Sequence, residues 1–342
     1  MRARGRQFVL TSPVVNSEAT GDRLRLRILP ATAAFLSLFI FALSANLLPA
    51  ALLRASVDLR VSPQDLAEVF SLQFVAFFLA AGSAGILSEF AGRKRVFLGA
   101  CLLMLAGTLA WMTARHIAQA CLAAALWGAA GGIFEGMSSA LLCELFFLRR
   151  KLFMNLSQVV YTLGAISGPW LAGRLLPGGL DWRLLFMGVG VLSFLLLLLY
   201  LGCRLPPTPP RERITPAGLL DILRSWPFLS LCIALFLYVL SETTIVVYAN
   251  LYLRQVHGAP EDLAIYSMSI FCAAMLIGRG ASAFLPEHYS YEKTIAVFLV
   301  LSGSAMALQG VSGDWRMSMI AFALAGLVCA GIWPMLVALA SA

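Results

Sequence analysis

"GILSEFAGRKR", residues 85–95, sets one acid, a glycine and three consecutive cations between two long apolar runs. The gap is too short for a domain, so the chain must turn back tightly, and Gly92 supplies the backbone freedom such a turn needs. Arg93, Lys94 and Arg95 form a cluster of the kind that stays on the cytoplasmic side of a membrane. Glu89 adds little to orientation, because acids carry little topological weight. Its natural partners are a nearby cation or the N-terminus of another helix.

The rest of the chain fits a lipid setting. Of 342 residues, 60% are hydrophobic and 12% charged, with a net charge of +8 and a mean hydropathy of +0.86. Soluble domains run at roughly half apolar and a quarter charged, so lipid rather than water is the expected solvent. The seven cysteines (101, 121, 143, 203, 232, 272, 329) are scattered and form no CxxC pair; they supply neither a disulfide framework nor a zinc site and are expected to pack. Residues 1–28 are Arg-rich and have no apolar core before Leu29, so they are not a secretory signal. They read as a disordered cytosolic arm, with contact to anionic lipid as a second role.

A hydrocarbon core of about 30 Å takes about 20 apolar helical residues. Runs of that kind recur at Leu29–Leu53, Leu66–Leu87, Val96–Thr113, Ala118–Phe147, Leu156–Leu176, Leu184–Leu201, Pro227–Leu251, Leu263–Leu285, Thr294–Val311 and Met317–Ala342. Most of the 25 Lys and Arg fall in the N-terminal arm, at Arg93–Arg95 and Arg149–Lys151, in the Pro-rich stretch 203–225, and at Arg279 and Lys293. Arg54, Arg60, Arg115, Arg174, Arg183, Arg254 and Arg316 make up the other side, which places the N-terminus in the cytoplasm. The prolines and charges of 203–225 mark a cytosolic linker between a six-helix bundle (29–202) and a second bundle (226–342) of four helices. Because the last run reaches the final residue without a basic flank, a truncated chain is expected. The fold class is therefore all-α and polytopic, with an incomplete second bundle.

The stretch 85–95, with Gly85, Glu89, Gly92, Arg93 and Lys94 at its key positions and spans on both sides, resembles the signature loop of the major facilitator superfamily. That resemblance implies a cytoplasmic latch, in which the acid and the arginine form a charge relay with the end of the fourth helix. Glu144 is the matching partner here. In the family the loop also docks on an eleventh helix, which this sequence does not contain. "GAISGPWLAG", from Gly164 through Gly168 and Pro169 to Gly173, is partly similar to the glycine-proline motif of proton-coupled antiporters. The same residues read equally as a small-residue packing surface with a proline kink.

Charges are expensive at mid-membrane, so interior acids are functional candidates. Glu135 lies midway along the fourth span and Glu242 in the seventh, neither with a Lys or Arg of its own span within two turns. A carboxyl so placed can take up and release a proton as water access alternates, which is the chemistry of a proton-coupled carrier. Gly128, Gly132 and Gly136 recur every fourth residue and read as a packing stripe. Asn46, Gln73, Gln158, Tyr161, Tyr238, Asn250 and Trp333 are the remaining polar or aromatic candidates for substrate. Their amides can bond hydroxyls and their rings can stack on the C–H side of a sugar. Together "ANLLPA", "GGIFEGMSSALLCELF", "FLYVLSETT" and "GIWPMLVALA" look most like the fucose-proton symporter branch of the superfamily. In that branch an acid of helix four, matched by Glu135, takes part in proton coupling. The partner acid of helix one is replaced here by Asn46, which cannot titrate.

No HExxH, GxSxG or Walker motif occurs, so neither an enzyme nor an ATP-driven pump is expected, and no cofactor or metal is called for. The positive charge is accounted for by topology rather than nucleic acid, and the "NLS" at Asn155 falls on the cytosolic side, away from glycosylation. The expected protein is a monomeric secondary transporter of the cell membrane, of the bacterial inner-membrane type. It moves a sugar or similar small solute with protons by alternating access. A drug-proton antiporter and a non-transporting, carrier-like fragment are the rival expectations.

Overall fold

In the computed structural model, residues 17–207, 224–282, 291–333 and 335–336 are described. Among them the chain forms helices α1 (Ser17–Leu59), α2 (Pro63–Ala91), α3 (Arg93–Met112), α4 (Ile117–Leu145), α5 (Arg150–Leu175) and α6 (Trp182–Gly202). These are followed by α7 (Trp226–Gln255), α8 (Glu261–Ser282), α9 (Tyr291–Val311) and α10 (Trp315–Cys329). Each matches one of the ten apolar runs. Eight are long and apolar enough to cross a membrane. The other two are α5, whose middle carries Asn155, Ser157, Gln158 and Thr162, and α10, which is short. The all-helical, polytopic fold class therefore stands.

One boundary moves. Helix α1 begins at Ser17, so the second half of the expected N-terminal arm is helical, and residues 1–16 lie outside the described residues. Arg23, Leu24, Arg25, Leu26 and Arg27 are strong helix formers, and they run on into the first span. Most of the linker, residues 208–223, also lies outside the described residues.

Local signals set the helix ends. Ser62 caps α2, its Oγ accepting from the Asp65 N–H at 3.0 Å, with Pro63 at the first helical position. Asp181 caps α6 through the Arg183 N–H. Gly92 alone separates α2 from α3, at a φ of 83°. An L-residue with a side chain rarely adopts that angle, which is why the hairpin of residues 85–95 needs glycine there. At the same end, the Lys94 ammonium donates to the carbonyls of Leu201 (2.7 Å) and Cys203 (3.0 Å), satisfying the last turn of α6. Burial pushes the Cys203 thiol up, and the Lys94 charge draws it partly back. Lys94→Met is expected to cost about 1 kcal/mol through the lost bonds. It should also slow maleimide alkylation of Cys203 in detergent, since the thiolate fraction falls when the cation is removed. An unchanged rate–pH curve would refute this.

Small residues bring the helices together. A Cβ on Gly128 or Gly132 would run into the α2 backbone carbonyls of Gln73 and Phe77, so α2 and α4 touch main chain to main chain. Gly164 and Gly168 of α5 lie likewise against the Phe39 and Leu43 carbonyls of α1, and Gly173 against the Tyr266 ring of α8. Gly278 of α8 and Gly326 of α10 repeat the device later in the chain. The "GAISGPWLAG" glycines thus sit at helix–helix contacts. The main core runs through α1–α6 and takes in Val247, Leu251, Ile265 and Met268 of α7 and α8. Phe78, Leu79, Phe90, Leu195, Phe236 and Val300 point outward, as a bilayer solvent permits.

Candidate functional site

At the hairpin end, the start of α3 meets the last turn of α4. Arg93, the first residue of α3, donates from Nη1 and Nη2 to Glu144 Oε2 and Oε1 at 2.8 and 2.9 Å. Arg93 is 7% exposed and the Glu144 side chain 35%, so a planar, two-pronged pair fastens the start of α3 to the last turn of α4. Glu89 is exposed in the last turn of α2, one turn beyond Gly85.

A second group of polar residues lies inside, among α4, α5, α7 and α8. The Glu135 carboxyl points toward α5, where Gln158 Nε2 donates to its Oε1 at 3.4 Å. Its Oε2 is enclosed and has no hydrogen-bond partner. From α7, Glu242 and Tyr238 stand one turn apart. The Tyr238 hydroxyl lies beside the Glu242 carboxyl but short of hydrogen-bond geometry. Tyr161 lies within electrostatic reach of both acids and tilts against Phe41 of α1, with ring centres 6.1 Å apart. Glu135, Gln158, Tyr161, Tyr238 and Glu242 therefore form one polar cluster, in which Glu135 Oε2 and the Tyr238 hydroxyl have no hydrogen-bond partner among the described residues.

One member of this cluster is not among the residues the sequence singles out for the site: Arg279, in the last turn of α8, reaches inward. Its Nη1 donates to the Gln158 carbonyl (3.1 Å) and to Thr162 Oγ1 (2.7 Å), and its charge reaches both Glu135 and Glu242. Neither acid has a Lys or Arg of its own helix within two turns, and the Arg279 charge reaches both from α8. The available signal was "MLIGRG", a lone arginine with no second cation beside it to make a membrane anchor.

The remaining candidates are placed elsewhere. Asn46 is buried on α1 and its Nδ2 donates to the Ala42 carbonyl one turn back, at 2.8 Å. Gln73 is buried where α2 meets α4, its Oε1 without a partner. Asn250 ties α7 to α1, its Nδ2 donating to the Pro49 and Ala50 carbonyls at 3.3 Å each. Trp333 is partly exposed beyond α10. At the end opposite the hairpin, Arg54 of α1 grips Glu261 of α8 through Nε–Oε1 (2.6 Å) and Nη2–Oε2 (3.0 Å). Among the described residues, no three His, Cys, Asp or Glu side chains gather as a metal site.

The family model described as Major Facilitator Superfamily matches residues 33–342. The chain belongs to the major facilitator superfamily. Membership makes it a multi-pass membrane transporter of small molecules rather than an enzyme. No curated protein sequence matches it. Among solved structures, a D-xylose-proton symporter superposes with a TM-score of 0.72 at 14% identity, over 89% of this chain and 80% of that one. A bacterial homolog to the human lysosomal transporter Spinster, inward-facing and unoccupied, gives 0.72 at 15%, over 93% and 75%. The nucleoside transporter NupG gives 0.69 at 15%, over 89% and 80%. At such identities these likenesses establish the shared fold.

Proposed function

We propose that this protein is a proton-coupled secondary transporter that carries a small, uncharged, hydroxyl-rich solute of the sugar class through the cell membrane by alternating access. On this reading it acts as a monomer of the bacterial inner membrane with its N-terminus in the cytoplasm, and belongs near the fucose-proton symporters. The two bundles, 29–202 and 226–342, rock about the cluster between them. The observation that supports the reading is that two acids from separate parts of the chain, Glu135 and Glu242, both lie within electrostatic reach of Tyr161 and Arg279, with Gln158 bonded to Glu135 and Tyr238 beside Glu242. The carboxyls bind and release the proton. The amide and phenol groups offer paired donors and acceptors to hydroxyls. That a xylose-proton symporter and a nucleoside transporter share the fold agrees with this. The antiporter reading drew on the α5 glycines, and those are accounted for by packing on α1 and α8. Arg279 in the cluster also opposes an organic cation.

The test is the external pH of lightly buffered cells expressing the chain while a panel of sugars and cationic dyes is added. Alkalinisation with one sugar is expected, and Glu135→Gln should abolish it while leaving the protein in the membrane. Silence toward every sugar together with dye-driven pH shifts would replace the symporter reading with the antiporter one.

A further inference from the structure

We propose that the Arg54–Glu261 pair is the gate at the end of the transport path opposite the Gly92 hairpin, the bond that parts each time that end opens. The inference rests on the alternating-access reading above and adds the residues that close one end of the path. Side chains of the later helices bond to the earlier ones at several depths. From α8, Arg279 reaches Thr162 Oγ1 of α5, and Ser269 Oγ donates to the Ile166 carbonyl at 3.0 Å. From α7, Asn250 reaches the Pro49 and Ala50 carbonyls of α1. Compared with these ties the Arg54–Glu261 pair stands furthest from the hairpin, and it joins opposite charges by two prongs, at 2.6 and 3.0 Å.

Each partner is fixed to its own side. One turn beyond Arg54, the Asp58 carboxylate accepts from Trp182 Nε1 at 3.0 Å and from Arg183 Nη1 at 2.7 Å, so the end of α1 moves with α6. Glu261 opens α8 directly after a loop that is stitched to the later helices. His257 Nε2 of that loop lies 3.2 Å from the Tyr252 hydroxyl of α7 and 3.2 Å from Ser318 Oγ of α10. Arg254 Nη1 donates to the Ala259 carbonyl of the same loop at 3.0 Å. Arg254 belongs to α7, so any contact it makes with Glu261 stays within the later helices and does not hold the two sides together. The gate pair is half-buried. Water can therefore rehydrate both charges as they part, which keeps the bond weak enough to break and remake. The Arg93–Glu144 pair, with its enclosed guanidinium, lies wholly among the earlier helices and has no such role. Beneath the gate the seam is apolar: Ala42 of α1, Ala165 of α5, Ile245 and Ala249 of α7 and Cys272 of α8 belong to one cluster. Parting these side chains strands no charge.

Cys272 reports the state of that end, because it is 4% exposed and lies about three helical turns along α8 from Glu261. The experiment is the rate at which a membrane-impermeant, sulfonated maleimide alkylates Cys272 in the full chain in lipid nanodiscs, read by peptide mass spectrometry. Cys101, buried in the core of the earlier helices, is the internal control. Arg54→Gln and Glu261→Gln are each expected to raise the Cys272 rate about fivefold, the upper range for a pair that shares its charges with water. The double variant should raise it no further, since both substitutions remove one bond, and Cys101 should stay slow throughout. An unchanged Cys272 rate, additive rises in the double variant, or a parallel rise at Cys101 that marks general loosening would each overturn the gate. The readout needs neither solute nor proton. An unchanged Cys272 rate therefore leaves the transport reading standing, and silence in the external-pH assay leaves the gate result standing.

Discussion

Glu144→Ala is expected to destabilise the protein by about 3 kcal/mol, the lower end of what breaking a buried ion pair costs. The asymmetry of the pair sets that figure. Arg93 is 7% exposed and cannot find water once its carboxylate is gone, whereas Glu144 at 35% exposure already shares its charge with solvent. The guanidinium would be left enclosed at the start of α3, where a helix N-terminus also disfavours positive charge. The check is the fraction of protein that remains monodisperse in detergent after a heating step. The double variant Arg93→Met with Glu144→Leu should recover most of the loss, because replacing a buried pair by apolar side chains is often close to neutral. A Glu144→Ala protein as stable as wild type would mean that the latch contributes nothing to the fold.

Gly132→Ala should cost at least about 3 kcal/mol, at the upper end for overpacking. The added methyl would overlap the Phe77 carbonyl and approach the Ala81 nitrogen at 2.8 Å. Both are backbone atoms of a neighbouring helix, so no side chain can swing aside and α2 as a whole must retreat from α4. Gly136→Ala, one turn further along the same stripe, is the matched control. Its methyl would sit 3.6 Å from the Ala81 carbonyl, an ordinary contact, and alanine is the better helix former by about 1 kcal/mol. Gly136→Ala is therefore expected to be neutral or slightly stabilising. Equal melting shifts for the two variants would refute the account of the α2–α4 contact.

The helix order, the one-residue turn at Gly92 and the Arg93–Glu144 pair were legible because lipid imposes run length and because the residue pattern at 85–95 is dense. Glycine spacing on α4 showed that a helix comes close, but which helix it was depends on tertiary packing, and α2 emerged only from the structure. Glu135 and Glu242 were legible as isolated charges in apolar runs. Their shared cation was not, because a sequence window along either helix shows no neighbour and Arg279 arrives from a third. Asn250 looked like a substrate amide, yet it spends its donors on the α1 carbonyls at Pro49 and Ala50. The pattern of a polar residue in an apolar helix does not say which way it turns.

Helix α8 is tied to the first half of the chain at two depths. Near the hairpin end Arg279 bonds α5, and at the other end Glu261 is gripped by Arg54 of α1. The two ties are of different kinds. Arg279 donates to a backbone carbonyl and a hydroxyl of α5. The Arg54 and Glu261 side chains are 31% and 29% exposed, and salt at about 0.1 M screens such charges beyond about 10 Å. Helix α8 thus resembles a plank fastened at one end by a weld and at the other by a magnet that brine weakens. The salinity of the compartment facing the Arg54 end therefore enters the energy of parting the helices there.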